Sequence, residues 1–309
     1  MEVRVSAATP ARSISPSLDK HRPRVTGIVP PIPTPFRDGH LDLDSLRREL
    51  DYLRPSVSGY LVGGSTGEYS SLSMDERERL VRTVAEHTTG ELALVVSVTD
   101  NSIEHSRRLS DLAGEAGAAL LILSCPNYFP PDRSMLESYF GAISEFAGTD
   151  LCLYDNPVAS GTKLSIDDIA AIRSAAPRLT HIKVTDTAIG KVAALRESTS
   201  LVILAGDDTV LWHHLTTGAS GIMTAIPIIF PERTAAMWSF LAAGEVDAAY
   251  DEYRQLTHFI HISLSSLDYP AVVKAVLHMH DVLASPEVRL PLMSLSSVRR
   301  AQVIAALHS

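Results

Sequence analysis

From Val25 onward the sequence alternates between short aliphatic runs and amphipathic stretches, and this repeated alternation restricts the fold more than any other feature. The aliphatic runs fall at residues 25–29, 59–62, 92–98, 119–123, 151–154, 181–184, 201–205 and 221–224. Most are followed directly by Gly, Pro, Ser or Asp, the pattern of a strand that ends in a turn. As a set they lack polar alternation, so they are expected to be covered on both faces, as parallel sheets require. The intervening segments, 44–53, 75–87, 103–116, 135–146, 166–174, 189–196 and 209–216, read as helices. In the second, Leu80, Val81 and Val84 make an apolar stripe among charged residues, and Ser73 with Glu76 forms a capping box.

Strands and helices in this order over about 200 residues suit an α/β fold of the (β/α)8 TIM-barrel type. An open doubly wound sheet carries Gly-x-Gly-x-x-Gly after its first strand. Here that turn is Pro30-Pro31-Ile32-Pro33-Thr34-Pro35, which cannot cradle a pyrophosphate. The barrel is therefore expected over 25–230, followed by a C-terminal helical extension over 231–309 with helices near 232–243, 246–263, 270–283 and 294–308. Residues 1–24, rich in Ala, Ser, Pro and Arg, show no apolar period and read as a flexible N-terminal arm.

Composition narrows the function. The chain of 309 residues has a net charge of −9 and no run of Lys and Arg, so nucleic acid is not an expected partner. Its longest apolar stretch, 221–230, contains Pro227 and is far short of the roughly 18 residues that span a bilayer, so no membrane partner is expected. The two cysteines, Cys125 and Cys152, lack a Cys-x-x-Cys spacing, which favours a reducing, cytoplasmic setting. His213-His214, His258-x-x-His261 and the His278/His280 pair do not match the His-Glu-x-x-His zinc pattern, and no metal is expected.

In such a barrel the chemistry lies at the C-terminal ends of the strands. The second strand ends in Gly63-Gly64-Ser65-Thr66-Gly67-Glu68, small residues and two hydroxyls that suit a carboxylate or phosphate, or simply a tight turn. The fifth ends in Tyr154, placed to relay protons at the barrel mouth or to pack there with a satisfied hydroxyl. The sixth carries Lys183, one of only five lysines against 22 arginines. Lysine is seldom buried without a partner or a task, and desolvation favours the free amine that attacks carbonyls. A lysine snorkelling from a strand edge is the bland alternative. The fourth strand leads into Cys125-Pro126-Asn127-Tyr128-Phe129-Pro130-Pro131, a stiff loop that presents aromatics to a site or to a neighbouring subunit.

Together these ends resemble the pyruvate-dependent class I aldolases and lyases that include dihydrodipicolinate synthase and N-acetylneuraminate lyase. The resemblance spans about residues 25–300. It rests on Gly64-Ser65-Thr66-Gly67-Glu68, on Tyr154-x-x-Pro157, and on Lys183 following that Tyr. It extends to Ala205-Gly206-Asp207-Asp208 and Gly218-Ala219-Ser220-Gly221-Ile222. It implies a lyase or aldolase that adds or removes pyruvate, or another 2-oxo acid, at an aldehyde, with Lys183 forming the Schiff base and Tyr154 acting as acid/base. Gly64, Ser65 and Thr66 would surround the 2-oxo acid carboxylate, and Ser65 would also link Tyr154 to Tyr128. In this family the residue matching Tyr128 comes from the adjacent subunit, which implies a homodimer or homotetramer. Gly206 and Ile222 would line the pocket, and Thr185, Asp208 and Thr224 would meet the rest of the substrate. No cofactor beyond the covalent lysine adduct is implied.

The lysine-pathway branch carries an Arg where this chain has Ala159, and the sialic-acid-lyase branch carries an acidic residue where it has Thr209. The expectation is a related enzyme acting on another 2-oxo acid. Alternatives are dihydrodipicolinate synthase or N-acetylneuraminate lyase proper, a deoxy sugar acid dehydratase or hydratase-aldolase, and a catalytically inactive 2-oxo-acid-binding barrel.

Overall fold

The computed structural model of the protein describes residues 25–88, 90 and 92–308. The arm expected at residues 1–24 lies outside the described residues. Strand β1 is cut short by its own sequence. The prolines at 30, 31, 33 and 35 have no N–H for a ladder, and β1 is only Gly27–Ile28 instead of 25–29. The chain still runs beside its neighbour: Ile32 N–H donates to Leu61 O and Leu61 N–H to Pro30 O, both at 3.0 Å.

The other strands are β2 (Gly59–Val62), β3 (Ala93–Ser97), β4 (Leu120–Ser124), β5 (Leu151–Asp155), β6 (Leu179–Val184), β7 (Val202–Ala205) and β8 (Gly221–Ile222). All pair in parallel, in the order β1-β8-β7-β6-β5-β4-β3-β2. The bridge between Pro31 and Leu61 brings the two ends of the sheet together, so the sheet is a TIM barrel.

Helices α1 (Leu43–Leu53), α2 (Met74–His87), α3 (Ile103–Glu115), α4 (Arg133–Phe146), α5 (Ile166–Ala175), α6 (Lys191–Ser198) and α7 (Leu211–Thr217) cover the outside. The capping box of α2 is formed, with Glu76 N–H donating to Ser73 Oγ and Ser73 N–H to Glu76 Oε2 at 2.9 Å. Helix α6 starts two residues later than expected, after Gly190 at φ 93°. Helix α7 also starts late, because Asp207 Oδ1 takes the Thr209 N–H at 2.8 Å and holds that residue in the loop.

The apolar side chains divide by alternation. Val29, Leu61, Val95, Leu120, Ile122, Cys152, Tyr154, Val202, Leu204 and Met223 fill the barrel interior. Their strand neighbours, such as Val62, Val96, Leu121, Leu153, Ile182 and Ile203, belong to the core between sheet and helices. Both faces of the strands are thus buried, which explains their lack of polar alternation.

Beyond the barrel come α8 (Pro231–Ala242), α9 (Val246–Phe259), α10 (Tyr269–Met279) and α11 (Ser297–Leu307). A π-helical turn, Ile260–Leu264, ends the segment expected as one helix over 246–263. Two of the features without a counterpart in the sequence reading lie next to strands. One is a hairpin of Phe36–Arg37 and His40–Leu41, turned at Asp38 and Gly39, both at positive φ. The other is the one-turn helix Ile226–Ile229, which ends β8 early: Ala225 N–H and Ile226 N–H both donate to Asp208, each at 3.1 Å. Among the described residues no helix is long and apolar enough to cross a membrane.

Candidate active site

Among the described residues three lysines are buried: Lys183 at 4 % exposure, Lys191 at 8 % and Lys274 at 0 %. Two of them are tied to carboxylates. Lys191 Nζ lies 2.7 Å from Asp155 Oδ2 and 2.9 Å from Asp186 Oδ2, and donates to Leu164 O at 3.0 Å. Lys274 Nζ pairs with Glu68 and donates to Glu287 O at 2.8 Å. Lys183 has no carboxylate within ion-pair distance among the described residues. Its Nζ stands instead over the ring of Tyr154, 4.2 Å from the centroid. A buried, unpaired amine is costly unless something uses it.

The barrel explains why these two residues meet. Tyr154 and Lys183 are register partners on β5 and β6, and both face the interior. The Tyr154 hydroxyl accepts a hydrogen bond from Asn156 Nδ2 at 2.8 Å. Asn156 caps the one-turn helix Pro157–Ser160, its Oδ1 accepting from Ala159 N–H at 3.1 Å.

The loop after β2 turns on two left-handed residues, Gly63 at φ 71° and Glu68 at φ 56°. Gly64 lies within it, Ser65 is half-buried and Thr66 is 3 % exposed. Glu68 anchors the loop from behind: besides pairing with Lys274 it accepts from Arg289 N–H at 2.8 Å. Tyr269, at the start of α10, lies beside the Thr66 side chain and within electrostatic range of Tyr154, and burial raises its phenol above the usual value. Tyr69, directly after the loop, also faces Tyr154, and burial raises its phenol as well.

The remaining expected residues divide into two groups. Gly206 opens the loop after β7 beside Lys183, its N–H donating to Val184 O at 2.8 Å. Thr185 is at the same mouth, but its hydroxyl donates to Asp155 O at 2.7 Å, which leaves it only lone pairs to offer a ligand. Asp208 is buried beside Thr224, and its two oxygens take the Ala225 and Ile226 amides. Burial raises that acid to about 6. The carboxyl expected at the substrate thus also holds the chain that follows β8. Ile222, expected to line the pocket, does not turn its side chain to the barrel interior. Its side chain sits in the outer core, its carbonyl accepts from Val29 N–H at 2.8 Å, and the interior position next to it is Met223.

Tyr128 is not brought to Tyr154 within one chain. It is 88 % exposed at φ 78°, with its ring edge-on to Phe129 at 4.9 Å between centroids. A bulky residue held at positive φ and presented to solvent is an unusual arrangement.

Sequence reasoning missed Tyr269, Lys274 and the contact of Asn156 with Tyr154. The only local sign of Tyr269 is its place before Pro270 at a helix start. Asn156 shows itself only as a capping residue ahead of Pro157.

Comparison with known proteins gives one consistent result. The sequence profile of the dihydrodipicolinate synthetase family matches residues 24–309. The 4-hydroxy-tetrahydrodipicolinate synthase of Methanococcus maripaludis is 26% identical over 284 residues, covering 92% of this chain and 98% of that protein. The enzyme of the same name from Methanothrix thermoacetophila is 28% identical over 288 residues, covering 90% and 94%. Among solved structures, the 4-hydroxy-tetrahydrodipicolinate synthase of Methylacidiphilum fumariolicum superimposes with a TM-score of 0.87 at 25% identity, covering 92% of this chain and 95% of the other.

Proposed function

The chain belongs to the dihydrodipicolinate synthetase family, and from that premise we propose a Schiff-base lyase or aldolase that adds or removes pyruvate, or a related 2-oxo acid, at an aldehyde. The observation that carries this reading is Lys183, the buried lysine without a carboxylate partner, opposite Tyr154. Lys183 Nζ attacks the C2 carbonyl of the 2-oxo acid, water leaves, and an imine forms. The protonated imine draws the electrons of a C3–H bond, whose proton passes to the Tyr154 oxygen, and yields an enamine, so the electron sink is organic. The enamine carbon then attacks the aldehyde carbon, and Tyr154 supplies the proton to the new oxygen. Cleavage is the same sequence reversed, with Tyr154 taking that proton. Ser65 and Thr66 hold the carboxylate, and Tyr128 completes the site from an adjacent subunit in a dimer or tetramer.

The relatives named for 4-hydroxy-tetrahydrodipicolinate synthesis supply the reference reaction. The position of the carboxylate-binding Arg of the lysine branch is Ala159 here, exposed and uncharged, which favours an acceptor aldehyde without a second carboxylate. Cys125 and Cys152 are free and buried, with burial raising both thiols to about 12, which suits a reducing cytoplasmic setting. The test is borohydride trapping with pyruvate, read by peptide mass spectrometry. A reduced adduct on the Lys183 peptide, absent in Lys183→Ala, is expected; no adduct with any 2-oxo acid removes the reading.

A further inference from the structure

We propose that Asn156 is a positioning residue for Tyr154, its amide fixing the phenol oxygen as an acceptor and turning the phenol proton toward the reacting carbon and oxygen atoms. The proposal rests on the Schiff-base reading above and adds a residue to it.

The orientation of the Asn156 amide follows from its second bond. A backbone N–H can be capped only by oxygen, and Ala159 N–H donates to Asn156 Oδ1 at 3.1 Å. The amide nitrogen is then the atom that faces Tyr154, where it lies 2.8 Å from the hydroxyl oxygen. An amide nitrogen has hydrogens and no lone pair to offer, so the phenol accepts from it and cannot donate back. The helix that fixes this geometry is only Pro157–Ser160. Its start is held again by Ser160, whose N–H and hydroxyl both bond Asn156 O, at 3.0 and 2.8 Å. On the other side of the strand end, Asp155 is pinned by Lys191 at 2.7 Å. Tyr154, Asp155 and Asn156 are thereby fixed in three successive directions.

The chemical consequence falls on the proton-transfer step. When the C3–H bond of the imine breaks, its electrons form the C2=C3 bond, the C2=N bond becomes single, and the proton passes to the Tyr154 phenolate oxygen. A donor already aimed at that oxygen stabilises the charge it carries during transfer and requires no reorganisation. Among the described residues, the other charged or titratable groups recorded near the Tyr154 side chain are Lys183 on β6, Tyr69 after β2 and Tyr269 on α10. None of these is altered by a change at Asn156.

The experiment uses the full-length protein and pyruvate alone. Exchange of the pyruvate methyl protons in D2O, followed by NMR, reports enamine formation without any aldehyde. Borohydride trapping in the same samples reports the imine separately. Asn156→Asp keeps a capping oxygen but replaces the donor with an anion, and Asn156→Ser keeps a capping oxygen on a side chain too short to carry its donor to the Tyr154 oxygen. Both variants are expected to form the Lys183 adduct as the wild type does. Exchange at pH 7 is expected to fall about tenfold or more in Asn156→Asp, with its pH profile displaced upward by about one unit, and to fall less in Asn156→Ser. An exchange profile in both variants that overlays the wild type overturns the proposal and leaves the Schiff-base reading intact. A uniform loss of adduct and exchange with an unmoved profile assigns Asn156 a merely structural role and also overturns it. No adduct in the wild type, with pyruvate or with larger 2-oxo acids, overturns both.

Discussion

No side chain fits between Gly206 and Lys183: a Cβ built on Gly206 would stand 2.8 Å from Lys183 Cγ, 2.7 Å from Thr185 Cγ2 and 2.8 Å from Val184 O. The missing side chain is what lets the loop after β7 close against the stem of the buried lysine. Because one of the three contacts is backbone, the crowding cannot be relieved by rotamer changes alone. Gly206→Ala is therefore expected to lose about 1–3 kcal/mol of stability in urea denaturation and to displace Lys183, so that pyruvate trapping falls further than stability alone explains.

Tyr154→Phe separates binding from proton transfer. The ring under Lys183 Nζ is kept and the hydroxyl is lost. Borohydride trapping should still label Lys183, while turnover, or methyl exchange of pyruvate, drops by about 10²- to 10⁴-fold, the range of a lost general acid or base. An unchanged exchange rate would remove Tyr154 from the mechanism.

If Tyr128 acts across a subunit interface, two inactive proteins repair each other. In a hybrid of Lys183→Ala and Tyr128→Phe subunits, one site has both Lys183 and a neighbour's intact Tyr128. Mixing the two variants under exchange conditions should restore activity above that of either alone. Activity that never exceeds the sum of the parents places Tyr128 outside the site.

The buried pair of Lys274 and Glu68 fixes the loop that carries Ser65 and Thr66. Lys274→Met leaves the Glu68 charge without its partner in a site from which water is excluded, at a cost of about 3–5 kcal/mol. Denaturation should show this loss, and the double variant Lys274→Met/Glu68→Gln should recover part of it. Equal loss in the single and double variants would mean that packing, not charge, is at stake.

Acid stability should depend on Glu76. Its hydrogen bonds with Arg289 hold the carboxyl down at about 2, against 4.5 for the free group. The unfolded chain then binds this proton at a higher pH than the native state does. The stabilisation is complete above pH 4.5 and is lost as pH falls toward 2. The difference in melting temperature between wild type and Glu76→Gln should be largest near neutrality and vanish near pH 2.

The barrel was legible because strands buried on both faces write themselves as uninterrupted aliphatic runs, and because Tyr154 and Lys183 sit at comparable strand ends. Strand limits were less legible. β1 stops where prolines remove donors, and beyond β8 the chain leaves the sheet where Asp208, fourteen residues before the end of that strand, takes the Ala225 and Ile226 amides. The same limit applied to the site. Ile222 was placed by its motif, but a one-residue step along β8 decides which side chain faces inward, and Met223 does. Tyr269 reaches Thr66 across most of the chain, and nothing in its local pattern says so. Asn156 lay in plain view beside Pro157, yet a four-residue helix is too short to leave a period.

Helix α10 supplies both Lys274, which grips Glu68 from behind, and Tyr269, which meets Thr66 from the front. The loop after β2 is therefore held by the tail as well as by the barrel. During synthesis the loop after β2 emerges early but cannot settle until residues near 270 have left the ribosome and packed against it. The anchoring of that loop would thus come among the last steps of folding.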